Sequence, residues 1–321
     1  MSVTEDLRSC VRGLFEEERI DLFIGWERGS GALVATPAFI EDPAEVDRLV
    51  FDATCGNNLS VFFTKDDRQY AGKRVGISVK GCDARSLVLQ VVEKQVDRGN
   101  VVIVGVPCEG VVDRKKALRK TGGREVLELA ESGTGFVLKG SGFEVRAERE
   151  EILSSSCLVC VHPDAREFDV FLGDPREEVR VEDRLKDVRE FESLPSSDRW
   201  ARMEREYGKC IRCYACRNAC PSCYCKVCFV DQNDPRWIGN TCDFTDTMIF
   251  HLVRNLHVAG RCVECGACER ACPMDIDLLL LNRKVAAEVE ERFGDVAGMD
   301  IGGKPAMADY REDEKQDFIM G

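Results

Sequence analysis

Eight cysteines constrain this chain more than any other feature. Cys210-x2-Cys213-x2-Cys216-x3-Cys220-Pro221 recurs as Cys262-x2-Cys265-x2-Cys268-x3-Cys272-Pro273, an internal repeat with the spacing by which thiolates hold two [4Fe-4S] clusters. Three thiolates at short, even intervals wrap one cube, and the fourth, a turn further on and followed by proline, points toward the other. The expected ligand sets therefore cross. Cys210, Cys213, Cys216 and Cys272 form one, and Cys262, Cys265, Cys268 and Cys220 form the other. Ala215, Ala219, Gly266, Ala267 and Ala271 leave room for a cube and for N-H groups near its sulfurs. The competing reading is a zinc scaffold, since Cys-x2-Cys steps also bind zinc; a crossing fourth cysteine has no use there.

Between Cys220 and Cys262 stand 41 residues that open Pro221-Ser-Cys-Tyr-Cys-Lys-Val-Cys228. Cys223, Cys225, Cys228 and the later Cys242 are candidates for an additional metal site, although Cys-x-Cys-x2-Cys is not a standard cube spacing. His251 and His257 fall on an expected helix, Asp246 to Val258, and read as surface or packing residues.

Eighteen cysteines behind an acidic N-terminus that does not read as a secretory signal point to a reducing, cytoplasmic setting, where clustered thiols serve metals rather than disulfides. The apolar runs, such as Val101–Val106, are too short to cross a bilayer. A net charge of -13 disfavours nucleic acid and anionic lipid. It suits a basic docking patch on a partner protein.

Upstream, the run Lys73 to Val79, a helical stretch with Leu87, Val88, Val91, Val92 and Val96 on one stripe, and Val101 to Val106 form a βαβ unit with parallel strands. Asp83 is the expected N-cap. Gly81-Cys82-Asp83 and Pro107-Cys108-Glu109 then leave the carboxyl ends of neighbouring strands, where open α/β sheets bind ligands. Gly81, Asp83 and Arg85 are candidate cofactor contacts; a helix cap and a surface ion pair are the plainer account of the last two. Cys82, Cys108, Cys157 and Cys160 are candidates for a third [4Fe-4S] cluster, with Cys55 as a competing fourth ligand and ordinary buried thiols as the alternative. A hairpin over residues 135–149 is expected to extend the sheet. No Gly-x-Gly-x-x-Gly or Gly-x4-Gly-Lys motif occurs, so nicotinamide and nucleoside triphosphate sites lack their signatures.

The predicted architecture is an α/β N-terminal domain with a βαβ-containing mixed sheet (1–180), a charged linker (181–197), an α-helical dicluster domain with a cysteine-rich insertion (198–294) and a flexible acidic tail (295–321). Its helices run from Ser197 or Asp198 to Tyr207 and from Asp277 to Phe293.

Val79-Lys-Gly-Cys-Asp-Ala-Arg-Ser86, Val101-Val-Ile-Val-Gly-Val-Pro-Cys-Glu-Gly110, Cys157-Leu-Val-Cys160 and Phe168-Asp-Val-Phe-Leu-Gly173, followed by the dicluster repeat, together resemble the coenzyme F420 hydrogenase/dehydrogenase beta-subunit family over roughly residues 45 to 290. The resemblance implies an iron-sulfur electron-transfer subunit. Its partners would be the catalytic and electron-carrier subunits of an oxidoreductase complex of the hydrogenase, formate dehydrogenase or heterodisulfide-reductase-associated kind. Some members also hold FAD and reduce the deazaflavin, which makes FAD a further candidate cofactor and a flavoprotein acting on a soluble carrier the rival reading. This chain departs from those members in its C-terminal clusters and in carrying no recognisable flavin motif.

Overall fold

The computed structural model describes residues 2–65, 70, 72–176, 178–306 and 308. A five-stranded mixed sheet organises the N-terminal half. Its strands are β1 (Leu22–Arg28), β2 (Ala35–Ile40), β3 (Val75–Val79), β4 (Val101–Gly105) and, further along the chain, the short β8 (Val170–Phe171). The order is β2-β1-β3-β4-β8. Only the β1–β2 pair is antiparallel. β3 lies at the centre and is buried along its whole length, as its largely apolar sequence suits a strand covered on both faces, with Ser78 bonded to the Ile24 carbonyl. β3 and β4 run parallel, Val75 opposite Val101 and Val79 opposite Gly105. The βαβ unit is therefore as expected, and the loops after both strands open on one edge.

The helix Gly81–Val92 follows β3 directly. It begins two residues before the expected cap. Lys80 is the N-cap, and Asp83, at the third helical position, accepts the Lys80 backbone N-H at 2.9 Å, a capping-box bond that satisfies an otherwise orphan donor. The helix Val3–Glu16 turns Leu7, Val11 and Leu14 into the same core.

The hairpin does not join this sheet. β5 (Glu128–Ser132), β6 (Gly135–Gly140) and β7 (Phe143–Glu148) form a separate antiparallel sheet. The main sheet's edges are already taken by β2 and β8, and Phe136, Leu138 and Ala147 instead bury themselves against Val112, Ala117, Ile152 and Leu153.

The C-terminal half is helical, with Ser196–Tyr207, Phe244–His257 and Leu279–Phe293 as its long helices. The last ends at Gly294, whose φ of +67° places it in the left-handed region that stops a helix. The stretch expected as a linker holds a helix of its own, Lys186–Ser193, because Val188 and Phe191 find an apolar partner in Leu280. The near part of the expected tail also packs: Ala297 is buried with Leu89 and Val263. Residues 309–321 lie outside the described residues. Polar contacts tie the halves together, among them Gln90 Nε2 to the Pro221 carbonyl at 3.1 Å and Arg261 to Glu93 at 2.7 Å. No helix among the described residues is long and apolar enough to cross a membrane.

Candidate iron-sulfur centres

The two halves of the cysteine repeat take up the same backbone conformation. Arg212 and Tyr214 have φ of 52° and 59°, and Glu264 and Gly266, at the matching positions, have 58° and 70°. Left-handed backbone costs a non-glycine residue about 1–3 kcal/mol, so three such residues in register mark a conformation that the surroundings impose. Its effect is to aim N-H groups inward. The Arg212 N-H reaches Cys210 Sγ at 3.4 Å, and those of Glu264 and Ala267 reach the sulfurs of Cys262 and Cys265. Short helices, Ala215–Asn218 and Ala267–Ala271, then carry Cys216 and Cys268 inward and pack on one another.

The fourth cysteine of each repeat has thiols of the other repeat for neighbours. Burial pushes the Cys210 thiol up, and the thiols of Cys272 and Cys213 beside it push it further. Burial likewise raises Cys216, with Cys210 and Cys272 as its thiol neighbours. In the second group, burial raises Cys262 well above its ordinary value, and Cys268, Cys265 and Cys220 add to it. Burial drives Cys268 to about 12, with Cys220 and Cys265 beside it.

A third group assembles at the carboxyl edge of the parallel strands. Cys82, Cys108, Cys157 and Cys160 line one cavity of ≈ 170 Å³, together with Lys80, Arg85, Cys265 and Arg270. Burial pushes Cys108 to about 12, with Cys157 and Cys160 as the thiols that raise it further. The inward N-H pattern returns here: Val111 N-H meets Cys157 Sγ at 3.4 Å, and Gly110 and His162 donate to Cys108 and Cys160. Gly81 permits the approach, since a Cβ there would run into the backbone carbonyls of His162 and Asp164. Asp164 pins the other side, accepting the Cys108 N-H at 3.0 Å and Arg176 NH2 at 2.8 Å.

Cys55 stands apart from all three groups. It is fully buried in the sheet core, where its thiol donates to the Val50 carbonyl at 3.8 Å. Asp83 is fully buried too, paired at 2.8 Å with Lys80 Nζ, and so turns away from the cavity that Arg85 lines. Cys223, Cys225 and Cys228 line a second cavity of ≈ 790 Å³, while Cys242 is exposed on the Cys210 side. His251 is a packing residue, stacked on Tyr207 with centroids 4.5 Å apart.

The donor chemistry suits [4Fe-4S] clusters. Each group presents four thiols, with N-H donors aimed at its sulfurs, and arginine or lysine side chains stand beside them. Arg85 and Arg270 form no ion pair with a carboxylate among the described residues; Arg85 Nε donates to the Ala297 carbonyl at 2.9 Å, and Arg270 to Cys265 O at 3.0 Å and Gly56 O at 2.7 Å. A buried guanidinium needs anionic company; Arg85 has the Glu264 carboxylate in its surroundings, whereas the charge-bearing neighbours of Arg270 are thiols, which in their neutral form do not provide it. Among the described residues no three His, Cys, Asp or Glu side chains converge on a position for a single metal ion; the four cysteines of a cube bond four different irons and stand further apart than such a site demands.

Lys80, Arg254 and Arg270 carry no motif that marks them in the sequence. Arg254 leaves a trace, because Phe250, Arg254 and Val258 recur at four-residue spacing and set a cation on an apolar stripe.

Residues 209–277 match the family model of the 4Fe-4S dicluster domain. The F420-dependent formate dehydrogenase subunit beta of Methanocaldococcus jannaschii is 24% identical, over 89% of this chain and 89% of its own length. The F420-dependent formate dehydrogenase 1 subunit beta of Methanococcus maripaludis is 22% identical over 92% and 90%. Among solved structures, a chain of the F420-reducing [NiFe] hydrogenase complex from Methanosarcina barkeri superposes with a TM-score of 0.39 at 16% identity, over 49% of this chain and 58% of that one. Over about nine-tenths of its length the chain is thus a homologue of the beta subunits of F420-dependent formate dehydrogenases, with a 4Fe-4S dicluster domain in its C-terminal half.

Proposed function

We propose that this chain is an electron relay of a multi-subunit oxidoreductase, passing electrons between a catalytic subunit and another carrier through three [4Fe-4S] clusters. The observation that carries the reading is the pair of arginines, without an ion-pair carboxylate among the described residues, that stand between thiol groups. Arg254 has thiols of both dicluster groups for neighbours, Cys216 of one and Cys268 and Cys220 of the other. Arg270 has thiols of the second dicluster group, Cys265 and Cys268, and of the strand-edge group, Cys157 and Cys82.

In this reading Cys210, Cys213, Cys216 and Cys272 hold one cluster, Cys262, Cys265, Cys268 and Cys220 the second, and Cys82, Cys108, Cys157 and Cys160 the third. The clusters supply one-electron transfer, with potentials set by burial, charge and N-H bonds to sulfur. The chain's own part is to exclude water, to direct N-H groups at the sulfurs and to balance charge with Lys80, Arg85, Arg254 and Arg270.

The test is iron, zinc, acid-labile sulfide and flavin per chain on anaerobically purified protein. About twelve iron and twelve sulfide are expected at four per cluster. About eight would remove the third group from the relay, and zinc without sulfide would overturn the reading. Cys272→Ala should damage the cluster of Cys210, Cys213 and Cys216; selective loss of the other dicluster signal would refute the crossing.

A further inference from the structure

Among the described residues three arginines are buried: Arg212, Arg254 and Arg283. Arg212 lies 3.6 Å from Asp246, and Arg283 pairs with Asp187 and lies 3.6 Å from Glu264. Arg254, only 4% exposed, has no carboxylate within ion-pair distance among the described residues. Its NH2 donates to the Cys216 carbonyl at 3.2 Å, and its Nε has no hydrogen-bond partner.

A guanidinium stays charged at any physiological pH, and burying it without a counter-charge costs several kcal/mol. The fold does not let this one escape. Arg254 belongs to the helix Phe244–His257, whose preceding turn is clamped by Phe250, 1% exposed, and by His251 stacked on Tyr207. Its charge-bearing neighbours are the thiols of Cys268, Cys220, Cys223 and Cys216, and thiols in their neutral form do not balance it.

We propose that Arg254 is a positioning residue for electron transfer: the segment inserted between Cys220 and Cys262 carries a fixed cation to the space between the two dicluster thiol groups, where it raises the reduction potential of both. The inference rests on the relay reading above and deepens it. Reduction adds one negative charge to a cluster, so a nearby fixed cation favours the reduced form. Because Arg254 has thiols of both groups for neighbours, it acts on both at once and offsets part of the repulsion between two reduced neighbours. The insertion thereby acquires a role that its cysteine spacing does not explain.

The experiment compares wild type, Arg254→Gln and Arg254→Lys as full-length anaerobic protein, first for iron and sulfide, then by redox titration followed by electron paramagnetic resonance. Arg254→Gln is expected to keep its iron and to lower the ratio of reduced to oxidised clusters about tenfold at a fixed potential, which is 59 mV for a one-electron couple. Arg254→Lys should recover most of that shift. Should Arg254→Gln fail to hold its clusters, His251→Glu, which sets a carboxylate one turn from the guanidinium, must lower both potentials in the same direction. Full iron with unchanged potentials in Arg254→Gln, or in His251→Glu where that variant takes its place, would overturn the proposal and leave the relay standing. A wild-type protein without iron and sulfide would overturn the relay, and this inference with it.

Discussion

His251 should make the protein acid-sensitive, and the size of the effect follows from its surroundings. The side chain is 2% exposed, its Nε2 has no hydrogen-bond partner, and it stacks on Tyr207. Burial, assisted by the neighbouring Arg254 charge, lowers its pKa from 6.5 to about 3. In the unfolded chain the imidazole takes up a proton as pH falls through 6.5, whereas in the folded chain it stays neutral down to about 3. Stability therefore rises with pH across that window and is lost as pH falls. Integrating the linkage between neutrality and about pH 5 gives a loss of about 2 kcal/mol from this one group. With an unfolding entropy of roughly 0.7 kcal/mol/K for a chain of this length, that corresponds to about 3 °C in melting temperature.

His251→Phe keeps an aromatic ring against Tyr207 and removes the titration. The assay is the apparent melting temperature of anaerobic protein at about pH 7.5 and about pH 5, wild type against variant. Other groups titrate in both proteins, so the informative quantity is the difference between the two acid shifts. The variant should lose about 3 °C less than wild type. Equal acid shifts would refute the reasoning, because they would mean that the histidine is hydrated or protonated in the folded state.

Two further outcomes follow from the strand-edge cavity. Asp83→Asn leaves Lys80, 2% exposed, with only the Asn57 carbonyl at 3.2 Å and the face of Trp26 at 3.9 Å; removing one partner of a buried pair should cost about 3–5 kcal/mol in denaturant unfolding, and a loss below about 1 kcal/mol would show the pair to be idle. Gly81→Ala would drive the 162–164 backbone away from Cys82, so iron should fall by about four per chain while the dicluster signals persist; retention of all the iron would show that the loop yields without opening the thiol group.

The line between what was legible in the sequence and what was not follows contact range. The βαβ unit could be read because the apolar runs 75–79 and 101–105 and the helix between them are local patterns with strong periodicity. The hairpin was recognised as a hairpin but assigned to the wrong sheet. Its own sequence sets β6 against β7, whereas its placement depends on Ile152 and Leu153 offering a better apolar surface than a sheet edge already filled by β8. Asp83 was misread as a cap because Lys80 does not belong to the usual capping residues. Its backbone N-H is satisfied by Asp83 all the same, and its ammonium by the same carboxylate.

The sequence by itself determined the dicluster repeat, because thiols three or four residues apart meet locally and their spacing dictates the turn between them. It also determined which strand ends carry Cys82 and Cys108, since parallel strands joined by a helix open on the same edge. Tertiary structure alone decided that Cys55 stays in the core while Cys157 and Cys160 reach that edge, and that Arg254 enters the space between the two dicluster groups without a carboxylate. Those outcomes rest on contacts between residues far apart in the chain, where the cost of closing the loop is met only by the packing of the whole fold.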